Sequence, residues 1–132
     1  MTFPNSIAAL MGAIESMSAF LTQQGAGSQA LYHAQLAAEE LGVNIIKYAY
    51  RDQQEHQIKL TVECLPDGFR LQILDDGIPF DIRQATPADP EQGLDEREPG
   101  GWGIGLVRRV ARRIEYERRD HRNILTLEIP SA

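Results

Sequence analysis

Three short segments of this chain combine residue types able to do chemistry. The first is Glu40-Leu41-Gly42-Val43-Asn44-Ile45-Ile46-Lys47-Tyr48. Glu40, Asn44, Lys47 and Tyr48 fall at i, i+4, i+7 and i+8, so on a helix they share one face. Apolar Leu41, Val43, Ile45 and Ile46 surround them. Burying a carboxylate and an amide costs free energy unless each finds a partner, and a Mg²⁺ ion with phosphates could supply both. The plain alternative is a solvated face with an intrahelical Glu–Asn contact. The second segment is Leu74-Asp75-Asp76-Gly77-Ile78-Pro79-Phe80-Asp81. A carboxylate where a strand leaves the core can accept from an exocyclic amine, and glycine lets backbone approach a ligand. Asp, Gly and Pro also simply make turns. The third is Gly100-Gly101-Trp102-Gly103-Ile104-Gly105-Leu106, glycines before a helix. Free N–H groups and the helix dipole make such an N-terminus an anion site. It is neither a Rossmann fingerprint nor a P-loop: no strand runs directly into it, and Gly-Lys-Ser/Thr is missing.

Elements must position these segments. Ile7, Leu10, Met11, Ile14, Met17 and Leu21 recur at threes and fours, which predicts a helix over 6–23 with Ser6 as N-cap. Gln24-Gly25-Ala26-Gly27 breaks it, and Ser28 is expected to cap a second, Ala/Leu-rich helix running to about Tyr50. Gly42 inside that helix costs about 1 kcal/mol against Ala and marks close packing. From 56 to 65, Ile58, Leu60, Val62 and Cys64 alternate with Lys59, Thr61 and Glu63; Pro66-Asp67-Gly68 turns the chain, and Phe69, Leu71 and Ile73 resume. That is a hairpin with one buried face. A Pro/Asp/Glu/Gln-rich loop from Ile82 to Pro99 follows, then a third helix with Leu106, Val107, Val110 and Ile114 on one side. Strands at about 114–119 and 123–129 close the chain, turning at Asp120 to Arg122. Hairpins with helices grouped between them imply an α+β, two-layer α/β sandwich.

The 132 residues suit one domain, 1–132. A lone Cys64 excludes an internal disulfide, and His33, His56 and His121 have no companions at metal spacing. No apolar run reaches the length of a membrane span, and Met1 to Asn5 do not begin a signal peptide, so the expected location is cytoplasmic. Thirteen Lys+Arg against nineteen Asp+Glu leave a net charge of −6, which argues against direct nucleic-acid binding. Seven arginines lie between Arg108 and Arg122. Arg108, Arg109, Arg112 and Arg113 are expected on one helix side, as a solvated face or a docking surface for an acidic partner. The acids crowd into Asp89 to Glu98.

Taken together, E-x-x-x-N on a helix, D-x-G at a strand end and G-x-G-x-G-L into a helix resemble the ATP-binding domain shared by gyrase, Hsp90, histidine kinases and MutL. The spacings, 31 residues from Asn44 to Asp75 and 26 from Asp75 to Gly101, suit a minimal member with a short lid. D-x-G-x-P-F-D followed by G-G-x-G-I-G-L most resembles the anti-sigma factor serine/threonine kinases. The resemblance implies the Bergerat fold, with a mixed, largely antiparallel sheet, three helices on one face, and an ATP lid at about 82–100 that orders on ATP binding.

It also implies roles. Glu40 would be the general base orienting a seryl hydroxyl, and Asn44 would ligate Mg²⁺ bridging the phosphates of ATP. Asp75 would accept from the adenine amine, with Gly77 letting the base lie close. Gly101, Gly103 and Gly105, with Leu106, would form the lid hinge and phosphate cradle, and Lys47 and Tyr48 would contact phosphates. Many anti-sigma kinases carry His at the position of Tyr48, whereas histidine kinases carry Lys-Tyr. Trp102 is expected to pack on the lid or the helix, or to serve as a partner contact. The implied partners are a STAS-domain anti-anti-sigma factor and a sigma factor. A homodimer is favoured, although the family's first strand would be very short here. Two rival readings are a nucleotide-gated binding module and the catalytic domain of a split histidine kinase.

Overall fold

A computed structural model describes residues 1–83 and 101–131. Its elements are β1 (Thr2–Pro4), α1 (Ile7–Gln23), α2 (Ser28–Tyr48), β2 (Gln57–Leu65), β3 (Gly68–Asp75), α3 (Gly101–Val110), β4 (Arg113–Arg119) and β5 (Arg122–Pro130). The five strands form one sheet in the order β1-β2-β3-β5-β4. Every described pairing is antiparallel, which corrects the mixed sheet expected from the resemblance. The first strand is short, as anticipated, and pairs only with residues 57–59 of β2.

Local chemistry explains the element ends. Ser6 caps α1, its Oγ accepting from the Ala9 N–H at 3.2 Å. Ser28 instead is the first residue of α2; Gly27 is the cap and offers no side chain, while the helix ends at Tyr48, two residues before Tyr50, with Ala49 as its C-cap. Asp120 and His121 both adopt positive φ, 53° and 62°, making the two-residue turn that matches the twist of the β4–β5 hairpin.

The apolar periods converge on one core. Leu10, Met17 and Leu21 of α1 and Ala34, Ala37 and Leu41 of α2 meet Ile58, Leu60, Leu71, Leu127 and Ile129 of the sheet. A Cβ on Gly42 would stand 2.5 and 2.8 Å from the Leu10 methyl carbons, so glycine there admits the close α1–α2 approach. Val107 and Ile104 of α3 join the same core. Two expectations fail at the edges. Cys64 is exposed, because the helical layer does not cover the far end of β2. Ile114 belongs to β4, and α3 ends at Val110, so Arg112 and Arg113 lie off the helix. Arg112 pairs with Asp67 and Glu128 instead, and Arg113 with Glu115. Among the described residues no helix is long and apolar enough to cross a membrane.

Candidate functional site

The end of α2, the end of β3, the start of β5 and α3 surround a cavity of about 430 Å³. Its walls are apolar: Leu41, Ile45, Ile78, Phe80, Ile82, Ile104 and Leu125, with Tyr48 and Tyr116. Three polar side chains enter it, Asn44, Asp75 and Asn123. An apolar hollow with a few convergent polar groups is the common form of a small-molecule site.

Asp75 is the last residue of β3 and only 6% exposed. Its Oδ1 accepts from the Gly77 N–H at 2.9 Å and from Asn123 Nδ2 at 3.0 Å. No described donor reaches Oδ2. Burial pushes the carboxyl above its ordinary range; the Asn123 and Gly77 hydrogen bonds oppose this, Asp76 adds to it and Arg118 offsets it. Gly77 has a structural reason of its own. A Cβ there would lie 2.5 Å from Ala49 Cβ and 2.7 Å from Ala49 O, the carbonyl that accepts from Ile78 N–H at 2.9 Å. The missing side chain therefore seats the Asp75–Ile78 turn on the end of α2, and the turn brings Ile78 onto the cavity wall.

Asn44 lines the cavity from α2, and its Nδ2 is buried without a partner among the described residues. A buried orphan donor is costly; the bland intrahelical contact to Glu40 is not made, and these N–H groups are open to a ligand. Tyr48 also lines the cavity. Glu40, one turn before Asn44, is half-buried and lies outside the cavity lining. Its carboxyl is raised by burial first and then by Glu39, against the pull of Lys47. Lys47 is exposed and lies outside the lining too.

The glycine cluster sits differently from its sequence expectation. α3 already begins at Gly101, so Gly101, Gly103 and Gly105 are within the helix and not ahead of it, and Leu106 is half-buried behind Ile104. Ile82, first residue of the expected lid, is buried, and its carbonyl accepts from Arg108 Nη2. The remainder of that lid, 84–100, and the Trp102 side chain lie outside the described residues.

Two residues here escaped the sequence reading. Asn123 stood only as the first residue of the expected last strand; its cross-strand pairing with Asp75 is a property of register. His56, assigned no role, stacks on Tyr50 with ring centroids 4.1 Å apart. Its Nε2 lies 2.7 Å from Asp52 Oδ1 and its Nδ1 3.3 Å from Asp76 Oδ2. Asp52 first, then Asp76, raise the imidazole above its ordinary value, against a smaller loss from burial.

Known proteins resemble this chain in family and fold. The family model for the histidine kinase-like ATPase domain matches residues 3–129. The serine/threonine-protein kinase BtrW of Bordetella bronchiseptica is 35% identical over 97 residues, covering 74% of this chain and 68% of that protein. The serine-protein kinase RsbW of Oceanobacillus iheyensis is 26% identical over 96 residues; the match spans 70% of this chain but 61% of that relative's length. Among solved structures, the histidine kinase domain of the Erythrobacter litoralis EL346 blue-light activated histidine kinase superposes with a TM-score of 0.52 at 20% identity, over 76% of this chain and 44% of that one. This last likeness is one of fold.

Proposed function

The chain belongs to the histidine kinase-like ATPase domain family, and from that premise we propose that it is a cytoplasmic, ATP-dependent anti-sigma factor. In this reading it binds a sigma factor and phosphorylates a serine of a STAS-domain anti-anti-sigma partner, working as a homodimer. The observation that carries the nucleotide part is the Asp75 carboxylate: buried in an apolar cavity, one oxygen held by two donors, the other facing no described donor. An adenine ring fills such a hollow, and its exocyclic amine supplies the missing donor. The similarity to BtrW and RsbW, both named protein kinases acting on serine, supports the transfer step.

Asn44 also suits Mg²⁺ by its chemistry: it lines the cavity, and its carboxamide oxygen, not the unpartnered Nδ2, is an accepted ligand for this hard cation. Asn44 would hold the ion, which when bound neutralises charge on the phosphates. The Asn44 N–H groups can donate to a phosphate oxygen. In this reading Tyr48, from the cavity wall, and Lys47, beside it on α2, would add further phosphate contacts, and as first-turn residues of α3 Gly101 and Gly103 would offer backbone N–H groups. Gly105 and Leu106 carry that helix onto the core through Ile104 and Val107. Glu40, half-buried with a raised carboxyl, suits a base that orients a seryl hydroxyl and takes its proton, since a base works best with a pKa nearer the working pH.

The test is intact-mass spectrometry of the protein with Mg-ATP and the STAS-domain proteins of its own genome. One STAS protein should gain a phosphate. Glu40→Ala should slow transfer by about 10²–10⁴-fold while nucleotide binding persists. Transfer at the wild-type rate by that variant, or a phosphate found on histidine, would overturn the assignment.

A further inference from the structure

Asn123 stands at the start of β5, opposite Asp75 on one side and Arg118 of β4 on the other. It is 4% exposed, and each of its hydrogen-bonding positions is filled. Nδ2 donates to Asp75 Oδ1 at 3.0 Å and to the Ile78 carbonyl at 2.8 Å. Oδ1 accepts from the Tyr116 hydroxyl and from Arg118 Nη1, the latter at 3.1 Å. The same Arg118 nitrogen donates to the Gly77 carbonyl at 2.7 Å. An amide with two donors and two lone pairs has nothing left for a ligand. The acceptors on Nδ2 and the donors on Oδ1 also settle which way the amide points.

We infer that Asn123 is the positioning residue for base recognition: it locks Asp75 with Oδ1 occupied and Oδ2 presented to the cavity as a lone acceptor, so the site demands a base with an amine there. The inference rests on the adenine reading of Asp75 above and assigns the specificity to a residue that does not touch the base. Without Asn123 only the Gly77 N–H still holds Oδ1, so the carboxylate gains room to rotate toward water and Oδ1 and Oδ2 lose their distinct duties. A purine with a carbonyl in place of the amine would face the Oδ2 lone pairs in the intact site, and would be tolerated in the loosened one. The other groups facing this pair are Asp76 beyond β3, Arg118 and Tyr116 on β4, and Tyr50 after α2, whose phenol is raised by burial and then by Asp75.

The experiment compares binding of ATP and inosine triphosphate, the same phosphates with a carbonyl replacing the amine, in the full-length protein by calorimetry. Wild type should prefer ATP. Asn123→Ala should cut the ATP-to-inosine ratio by about tenfold, through weaker ATP binding, the worth of a hydrogen bond to a charged group. A merely structural role would weaken both nucleotides alike and leave the ratio intact, which overturns the inference. Asn123→Asp adds a signature. At about pH 8 two like charges meet and the ratio collapses; toward about pH 6 the introduced carboxyl shares a proton with Asp75, restores the donor, and the ratio recovers. Wild type should show no such rise. A pH-independent ratio in that variant also overturns the inference. If Asn123→Ala does not fold, Tyr116→Phe removes one of the two donors to Asn123 Oδ1 and keeps the ring; the ratio should fall severalfold, and an unchanged ratio decides against us. Asp75→Asn separates the two claims: discrimination surviving there refutes the adenine reading itself, whereas its loss alongside an unaffected Asn123→Ala refutes only the role of Asn123.

Discussion

One substitution, glycine to alanine, should act with opposite signs at two positions of this chain. At Gly77 the added methyl would stand 2.5 Å from Ala49 Cβ, 2.7 Å from Ala49 O and 3.0 Å from Asp75 Oδ1. None of these is the loose end of a flexible chain: Ala49 caps α2 and is buried, and Asp75 is tied by two hydrogen bonds. Contact distances require the turn to retreat by roughly 1 Å, at an overpacking cost of about 1–3 kcal/mol. The Ile78 N–H bond to Ala49 O then fails, adding about 1 kcal/mol. At Gly12, inside α1, a methyl meets nothing within 4 Å and gains the helix preference of alanine, about 0.5–1 kcal/mol. For a domain of this size 1 kcal/mol moves the melting temperature by about 4 °C. Gly77→Ala should therefore melt about 8–16 °C below wild type and bind ATP more weakly, because Asp75 moves with the turn. Gly12→Ala should melt about 2–4 °C above it with binding unchanged. Circular-dichroism melts and calorimetric titration read both. If the two variants shift in the same direction, or Gly77→Ala melts with wild type, the argument that Gly77 seats the turn on α2 is wrong.

Other expectations come from the same structure. Asp75→Asn should abolish tight ATP binding yet melt at or above wild type at pH 7 by calorimetry, since burial raises the carboxyl: stability linked to Asp75 is fully present below its ordinary value of 3.8 and is lost as pH rises through its folded value. His56 is raised, so its contribution is present below its ordinary 6.5 and lost as pH rises through its folded value; its partner Asp52 is lowered, chiefly by that same histidine, and loses its share at the acid end. Melting temperature against pH should thus fall in wild type between about pH 6 and about pH 8, and His56→Gln should flatten that limb. Gly42→Ala should lower stability by about 1–3 kcal/mol in urea titrations, because its methyl would enter the space of the buried Leu10 side chain.

Local patterns carried far in this chain. The threes and fours from Ile7 to Leu21, with Ser6 ahead of them, are enough for α1 and its cap. Strict alternation around Pro66-Asp67-Gly68 is enough for the β2–β3 hairpin, because a strand shows one face to a core every second residue. The first two motif segments pointed to Asn44, Tyr48 and Asp75, and these do meet in one cavity. Gly42 was readable as a packing glycine, though only the fold names Leu10 as what it packs against.

Tertiary structure decided the rest, where the cause lies with residues distant in the chain. Val62 and Cys64 continue the alternation of Ile58, but Val62 is only half-buried against the core and Cys64 is exposed, so the pattern outlasts the burial. Ile114 continues the helical spacing of α3, yet the chain leaves the helix at Val110 and pairs as β4 with β5. Gly77 read as a glycine for a ligand, and the end of α2 packs against it. Asn123 carries no local signal, since what makes it matter is a register that sets it between Asp75, 48 residues earlier, and Arg118 across the hairpin. Helix and strand periods are written in neighbouring residues; hydrogen-bond partners across a sheet exist only once the sheet has formed.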